Sequence, residues 1–194
     1  YVIGISIAVH LLNLLCIPAI ALVIYYRKFK NTTAKGSLVT LGLSAVVVAL
    51  ILYGLVPGFI EIAQYFELFF VNTVHMPFNF GVLIYAVLLV AALIWCIYSL
   101  YKGTNVRSIR WSFLLAVLLS GIPFIGESLW IPIIITSALA IYLWKAPRLP
   151  IRILGLAALS VLVMFVGYSS YALLLIRSSA NPPMNQTAPD NVFN

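Results

Sequence analysis

Hydrophobic positions in this chain come in long blocks rather than in alternation. Four stretches carry no charged residue: Tyr1 to Tyr26, Gly36 to Ile60, Leu68 to Tyr101 and Ile153 to Ile176. They are apolar all round, where a water-soluble helix would show one apolar stripe. Crossing about 30 Å of hydrocarbon takes about 20 apolar residues as helix, and backbone in lipid must be bonded internally, so helices are the expected form. The predicted fold class is all-α: a polytopic integral membrane bundle of about six transmembrane helices plus one external amphipathic helix.

The run from Trp111 to Trp144 is too long for one helix and short for two. Its segment SGIPFIGES (120–128) holds Gly121, Pro123, Gly126 and the polar Glu127, which is turn chemistry. Read as a hairpin, the run keeps the flanking basic clusters on one side. The expected spans are then 1–26, 37–57, 80–101, 111–124, 128–144 and 152–176, with the fourth and fifth short. Pro18 is expected to kink the first span.

Charge fixes the orientation. The 194 residues are 64% hydrophobic and 8% charged, far below the soluble norm of about 25%. Of the 11 Lys and Arg residues, all but Arg177 fall in 27–35, 102–110 and 145–152, and the four acidic residues lie elsewhere. Lys and Arg in short loops mark the cytoplasmic side. The net charge of +7 therefore reads as topology, with no nucleic-acid partner. Cys16 and Cys96 sit inside apolar runs as small hydrophobes and imply neither disulfide nor metal site.

Polar residues inside or beside the spans are the candidate chemistry. In GFIEIAQYFELFFVNTVHMPFNF (58–80), a helical projection gathers Glu61, Gln64, Glu67, Asn72 and His75 on one arc, largely apart from Ile60, Ile62, Phe66, Phe69 and Phe70. That pattern predicts a helix along the outer interface, ended by Pro77. It serves either as an anchor or as the acidic wall of an external cavity for a polar substrate. In IAVHLLNLL (7–15), His10 and Asn13 stand at i, i+3 on one helical face. They are either hydrogen-bonding glue between helices or a functional site within the membrane. Arg177, at the expected outer end of the last span, suits either a lipid phosphate or a snorkelling anchor. No Walker loop, GxGxxG, HExxH or serine-nucleophile elbow occurs.

Two stretches carry a family resemblance. GISIAVHLLNLLCIPAIALVIYY (4–26) with its basic loop, and the tail YSSYALLLIRSSANPPMNQTAPDNVFN (168–194), resemble large bacterial inner-membrane proteins. That family carries a membrane domain first described as of unknown function. It is related to a eukaryotic transmembrane protein O-mannosyltransferase and is similar to GT-C-type glycosyltransferases. The resemblance implies transfer of a sugar from a polyprenyl-phosphate carrier to a protein acceptor on the outer face. It implies no other cofactor in this part, and the bilayer and the rest of the polypeptide as partners. The family's acidic motif, of the form W-R-D-x-G-E, is absent from these residues, so no catalytic residue is assigned. Residues 1–177 are expected to be part of a larger membrane domain, with 178–194 a linker to a soluble one; Pro182-Pro183 would stiffen it. Half of a secondary transporter and a non-catalytic membrane subunit are the competing expectations.

Overall fold

A computed structural model describes residues 1–103, 105–126, 128, 130–171, 177 and 180. Among them every regular element is helical: α1 (Val2–Val9), α2 (Cys16–Lys28), α3 (Ala34–Leu50), α4 (Val56–Asn72), α5 (Phe80–Lys102), α6 (Val106–Leu119), α7 (Trp130–Lys145) and α8 (Ile151–Tyr168). Four helical stretches are long and apolar enough to cross a membrane: Leu11–Lys28, Ala34–Asn72, Phe80–Lys102 and Ile151–Tyr168. The chain is a multi-pass membrane-helical bundle. Its fourth and fifth expected spans are the shorter helices α6 and α7. The rings of Trp111 and Trp144 meet edge to face, 5.1 Å between centroids, so this pair is a hairpin that returns the chain to the end it left. The turn's Glu127 lies outside the described residues, as do the expected linker and its Pro182-Pro183 pair.

Two expectations about helix boundaries fail, each for a backbone reason. The first span does not run unbroken with a kink at Pro18. It breaks at His10, which is extended (φ −157°, ψ 119°), and passes through a 3₁₀ turn at Leu11–Leu15 before α2 begins. Pro18 falls in the first turn of α2, where its missing N–H has no intrahelical partner to lose.

The segment 58–80 is not a separate interfacial helix. Residues 34–72 form one continuous helical stretch, about 58 Å long at 1.5 Å per residue. A π turn at Ile51–Leu55 joins α3 to α4, and the Val56 N–H reaches back to Ile51 O. This wider turn accommodates Pro57, which sits in the first turn of α4 and has no N–H to give the helix. α4 ends at Asn72, and the chain reverses through His75 and Asn79, both left-handed (φ 61° and 70°), into α5.

α4 and α5 then pack side by side as the centre of the bundle. Ile62, Ala63, Tyr85, Leu89, Leu93 and Cys96 are buried there, joined by Ile109 and Phe113 of α6, Leu143 of α7 and Ala158 of α8. The Tyr85 hydroxyl donates to Leu119 O at 2.6 Å, tying α5 to the end of α6. A second cluster, Ile7, Leu14, Val48, Leu55 and Met164, joins α1 and its 3₁₀ turn to α3, the π turn and α8.

Small residues set the closest approaches, as is common between membrane helices. Gly54 and Gly58 bring the long helix onto the backbone of Gly121 and Ile122; a Cβ at Gly54 would stand 2.9 Å from Ile122 O. A Cβ at Gly58 would run into Gly121 O, and Gly121 itself needs φ +85°. At Gly42 a Cβ meets nothing within 4 Å. Gly58→Val is therefore expected to destabilise by at least the roughly 1–3 kcal/mol usual for overpacking, read as an earlier unfolding midpoint in detergent. Gly42→Val should leave the midpoint in place. Equal midpoints for the two variants would contradict this packing.

Candidate functional site

The turns at 29–33, 103–105 and 146–150 carry or adjoin the basic clusters, and Tyr101 of α5 packs beside Gly155 of α8 at that end. Both described carboxylates belong to α4, away from these turns. They do different things.

Glu67 is 8% exposed. Its Oε1 accepts the Asn79 N–H and its Oε2 accepts the Val82 N–H at 3.1 Å. Asn79 is the N-cap of α5 and makes no side-chain cap of its own. The Glu67 carboxyl therefore supplies, from a neighbouring helix, the cap that an N-terminus needs, where the helix dipole favours negative charge. Gly81 permits it, because a Cβ there would strike the α4 backbone at Phe66 and Glu67. The expectation that Glu67 lies on a wet arc beside Glu61 is corrected: it faces α5. His75 leaves that arc as well, since α4 stops at Asn72 and His75 is an exposed residue of the reversing turn.

Glu61 and Gln64 do share a face, being at i, i+3 on α4. With Pro57, Tyr65, Phe124 and Gly126 they line an open groove of about 450 Å³ between α4 and the α6–α7 turn. Glu61 is half-buried, while Gln64 and Tyr65 are exposed. The groove thus offers a carboxylate, a carboxamide, a phenol and an aromatic wall. A smaller cavity of about 90 Å³ between α5, α6 and α8 is lined by Leu93, Phe113, Ala116 and other apolar groups, with Ser120 the polar exception. Tyr65, Phe124, Gly126 and Pro57 were not legible as site residues. Tyr65 sat beside the acidic pair, but Phe124 and Gly126 come from a turn 60 residues along the chain, brought in by the approach of Gly54 and Gly58 to Ile122 and Gly121.

His10 and Asn13 do not form an α-helical i, i+3 pair, because the helix breaks at His10, which is extended, and Asn13 lies in the 3₁₀ turn that follows. His10 Nδ1 accepts the Leu12 N–H at 3.3 Å, and Asn13 Nδ2 donates to Ser6 O at 3.2 Å. Both side chains are exposed and mend the break with bonds inside their own segment. Arg177 is helical and exposed, and it follows residues outside the described set. Among the described residues no three His, Cys, Asp or Glu side chains gather as a metal site.

Residues 1–33 match the family model described as Protein O-mannosyl-transferase TMEM260 N-terminal domain. The match spans α1, the break, α2 and the turn as far as Thr33, the N-cap of α3. No curated protein and no solved structure matches the chain.

The two glutamates separate in a stability measurement. Glu67→Gln keeps one acceptor and turns an NH₂ toward a backbone N–H, so it should cost about 1–3 kcal/mol, the penalty of an unsatisfied buried donor. Glu61→Gln should leave the unfolding midpoint unchanged. A midpoint insensitive to Glu67→Gln would contradict the capping role.

Proposed function

We propose that the chain is the membrane portion of a GT-C-like glycosyltransferase, which moves a sugar from a polyprenyl-phosphate carrier to a protein acceptor. The observation that carries this reading is the groove at the end opposite the basic turns, where Glu61, Gln64, Tyr65 and Phe124 converge. A donor anchored in the bilayer presents its sugar at the membrane edge, so a polar, aromatic-walled groove there suits it. The family match over residues 1–33 supports the same reading from the other end of the chain. With the basic turns in the cytoplasm of a bacterial inner membrane, the groove opens outward.

In this reading the C1–O bond to the carrier phosphate breaks and a C1–O bond to an acceptor hydroxyl forms. Glu61 and Gln64 hold hydroxyls of the sugar or of the acceptor, and Phe124 and Tyr65 give a flat surface for a sugar face. None of them is assigned as the base that takes the hydroxyl proton. Arg177 remains a candidate for the carrier phosphate, since a guanidinium fork matches phosphate oxygens.

One observation favours a second reading, half of a secondary transporter. The helix break at His10 has the form of the discontinuous helices that build transporter sites. Against it, His10 Nδ1 at the break is already taken by the Leu12 N–H, and the described carboxylates that could couple ions or protons lie in α4 at the groove end.

The test uses the natural full-length polypeptide in its membrane, with a polyprenyl-phosphate sugar and an acceptor peptide. Glu61→Ala with Gln64→Ala should lower transfer about tenfold or more, the equivalent of one lost hydrogen bond of roughly 1.4 kcal/mol. Leu83→Ala, on an exposed face of α5, should not. Sugar movement across sealed vesicles without a covalent product would favour the transporter.

A further inference from the structure

The cations at the basic end of the bundle do not all suit the helices that carry them. Lys102 and Lys145 lie in the last turns of α5 and α7, where the helix dipole favours positive charge. Lys102 Nζ also donates to the Tyr98 hydroxyl at 2.8 Å. Arg107 and Arg152 are placed the other way round. They open α6 and α8, whose first turns hold no acidic residue, and there the dipole opposes them. The Trp111–Trp144 contact and the approach of Tyr101 to Gly155 bring these helix ends together. The two described carboxylates, Glu61 and Glu67, belong to α4, and Glu67 is taken by backbone donors of α5. No described acid offsets the positive charge at this end.

At Arg110 that charge takes a defined shape. Arg110 stands one turn after Arg107 on the same face of α6. Its guanidinium carbon lies 5.8 Å from the centre of the Trp144 ring, and Trp111 meets the same ring edge to face. Nε of Arg110 is enclosed, with no hydrogen-bond partner among the described residues. The Nη groups are not enclosed, and they too make no hydrogen bond to a described residue. The stack therefore holds a planar guanidinium with one edge shut in and its Nη hydrogens on offer. Trp111 and Trp144 mark where the charged turns give way to apolar helix, and Trp gathers at headgroup level in a membrane. The anion found at that level, with oxygens that match a guanidinium fork, is a phosphate. A zwitterionic headgroup would bring an ammonium of its own against this cluster of cations; an anionic one would not.

We propose that the Arg110–Trp144 corner of the α6–α7 hairpin binds the phosphate of an anionic phospholipid headgroup. The Nη groups of Arg110 donate to the phosphate oxygens, Trp144 keeps the guanidinium flat, and Arg107, exposed one turn away, adds a second positive charge. Basic recesses between membrane helices hold headgroups in this way. The proposal stands whether or not the protein transfers sugar.

Native mass spectrometry tests it on the natural full-length protein, delipidated in detergent and titrated with phosphatidylglycerol or phosphatidylcholine of the same acyl chains. Phosphatidylglycerol should bind its first site roughly tenfold more tightly, the worth of about one charge-assisted hydrogen bond. Arg110→Gln should abolish that preference. Arg110→Lys should keep part of it, since the charge stays and the fork is lost. Trp144→Leu should weaken it although no charge changes. Lys28→Gln, in the basic run at the end of α2, should leave it intact, and thermal midpoints report whether each variant is folded. On the unaltered protein, phosphatidylglycerol with a diazirine next to its headgroup should cross-link mainly within 107–111 and 144–148. Equal affinity for the two lipids, a loss in Arg110→Gln no greater than in Lys28→Gln, or cross-links spread evenly over all three basic runs would overturn the proposal in favour of diffuse surface charge. Displacement of the lipid by millimolar inorganic phosphate would overturn the lipid assignment in favour of a soluble phosphate.

Discussion

Backbone hydrogen bonds that have no water to fall back on govern this fold. The chain interrupts its helices in three places that matter, and each interruption is mended differently. At the π turn, Ile51–Leu55, the bonds stay within the helix and the register widens before Pro57. At the start of α5, the Glu67 carboxyl reaches across from α4 to take two backbone donors. At His10–Leu15, short side chains patch the gap locally. The first two mends are buried in the packing of α4, α5 and the α6–α7 turn. The third is exposed.

The same bookkeeping separates acids that look alike in sequence. Glu61 and Glu67 lie six residues apart on one helix, about 1.7 turns, so they cannot share a narrow face. Burial and two donors make Glu67 a structural residue, whereas Glu61 opens into the groove with Gln64 and has space beside it for a polar ligand. The groove exists because Gly54, Gly58 and Gly121 let two backbones touch, which places Phe124 and Gly126 over α4. The shape of the groove therefore depends on glycines that do not line it.

Much of the architecture was legible in the sequence, and the misses have physical causes. Long uncharged runs and basic turns revealed the helices, and keeping 102–110 and 145–152 on one side led to the α6–α7 hairpin that the Trp111–Trp144 contact closes. Helical projection failed where it assumed an unbroken period. Pro57 and Gly58 read as the end of a span, because nothing in composition announces a π turn that absorbs a proline. His10 and Asn13 read as a face, although polar residues with local backbone partners are equally a signature of a break. Glu67 capping a helix 12 residues onward left no pattern to find. Of the candidate site, Glu61 and Gln64 were recoverable from spacing; the turn residues opposite them were set by tertiary contact alone.

The central claim is that the Glu61 groove opens on the outer face, with the basic turns inside. Cysteine accessibility in intact cells tests it most directly, with Gln64→Cys at the groove and Lys30→Cys in the α2–α3 turn, both exposed positions. A membrane-impermeant maleimide should label Gln64→Cys from outside and reach Lys30→Cys only after the cells are opened. Labelling of Lys30→Cys in intact cells, with Gln64→Cys protected until lysis, would invert the topology and remove the groove from the side where a lipid-linked sugar would meet its acceptor.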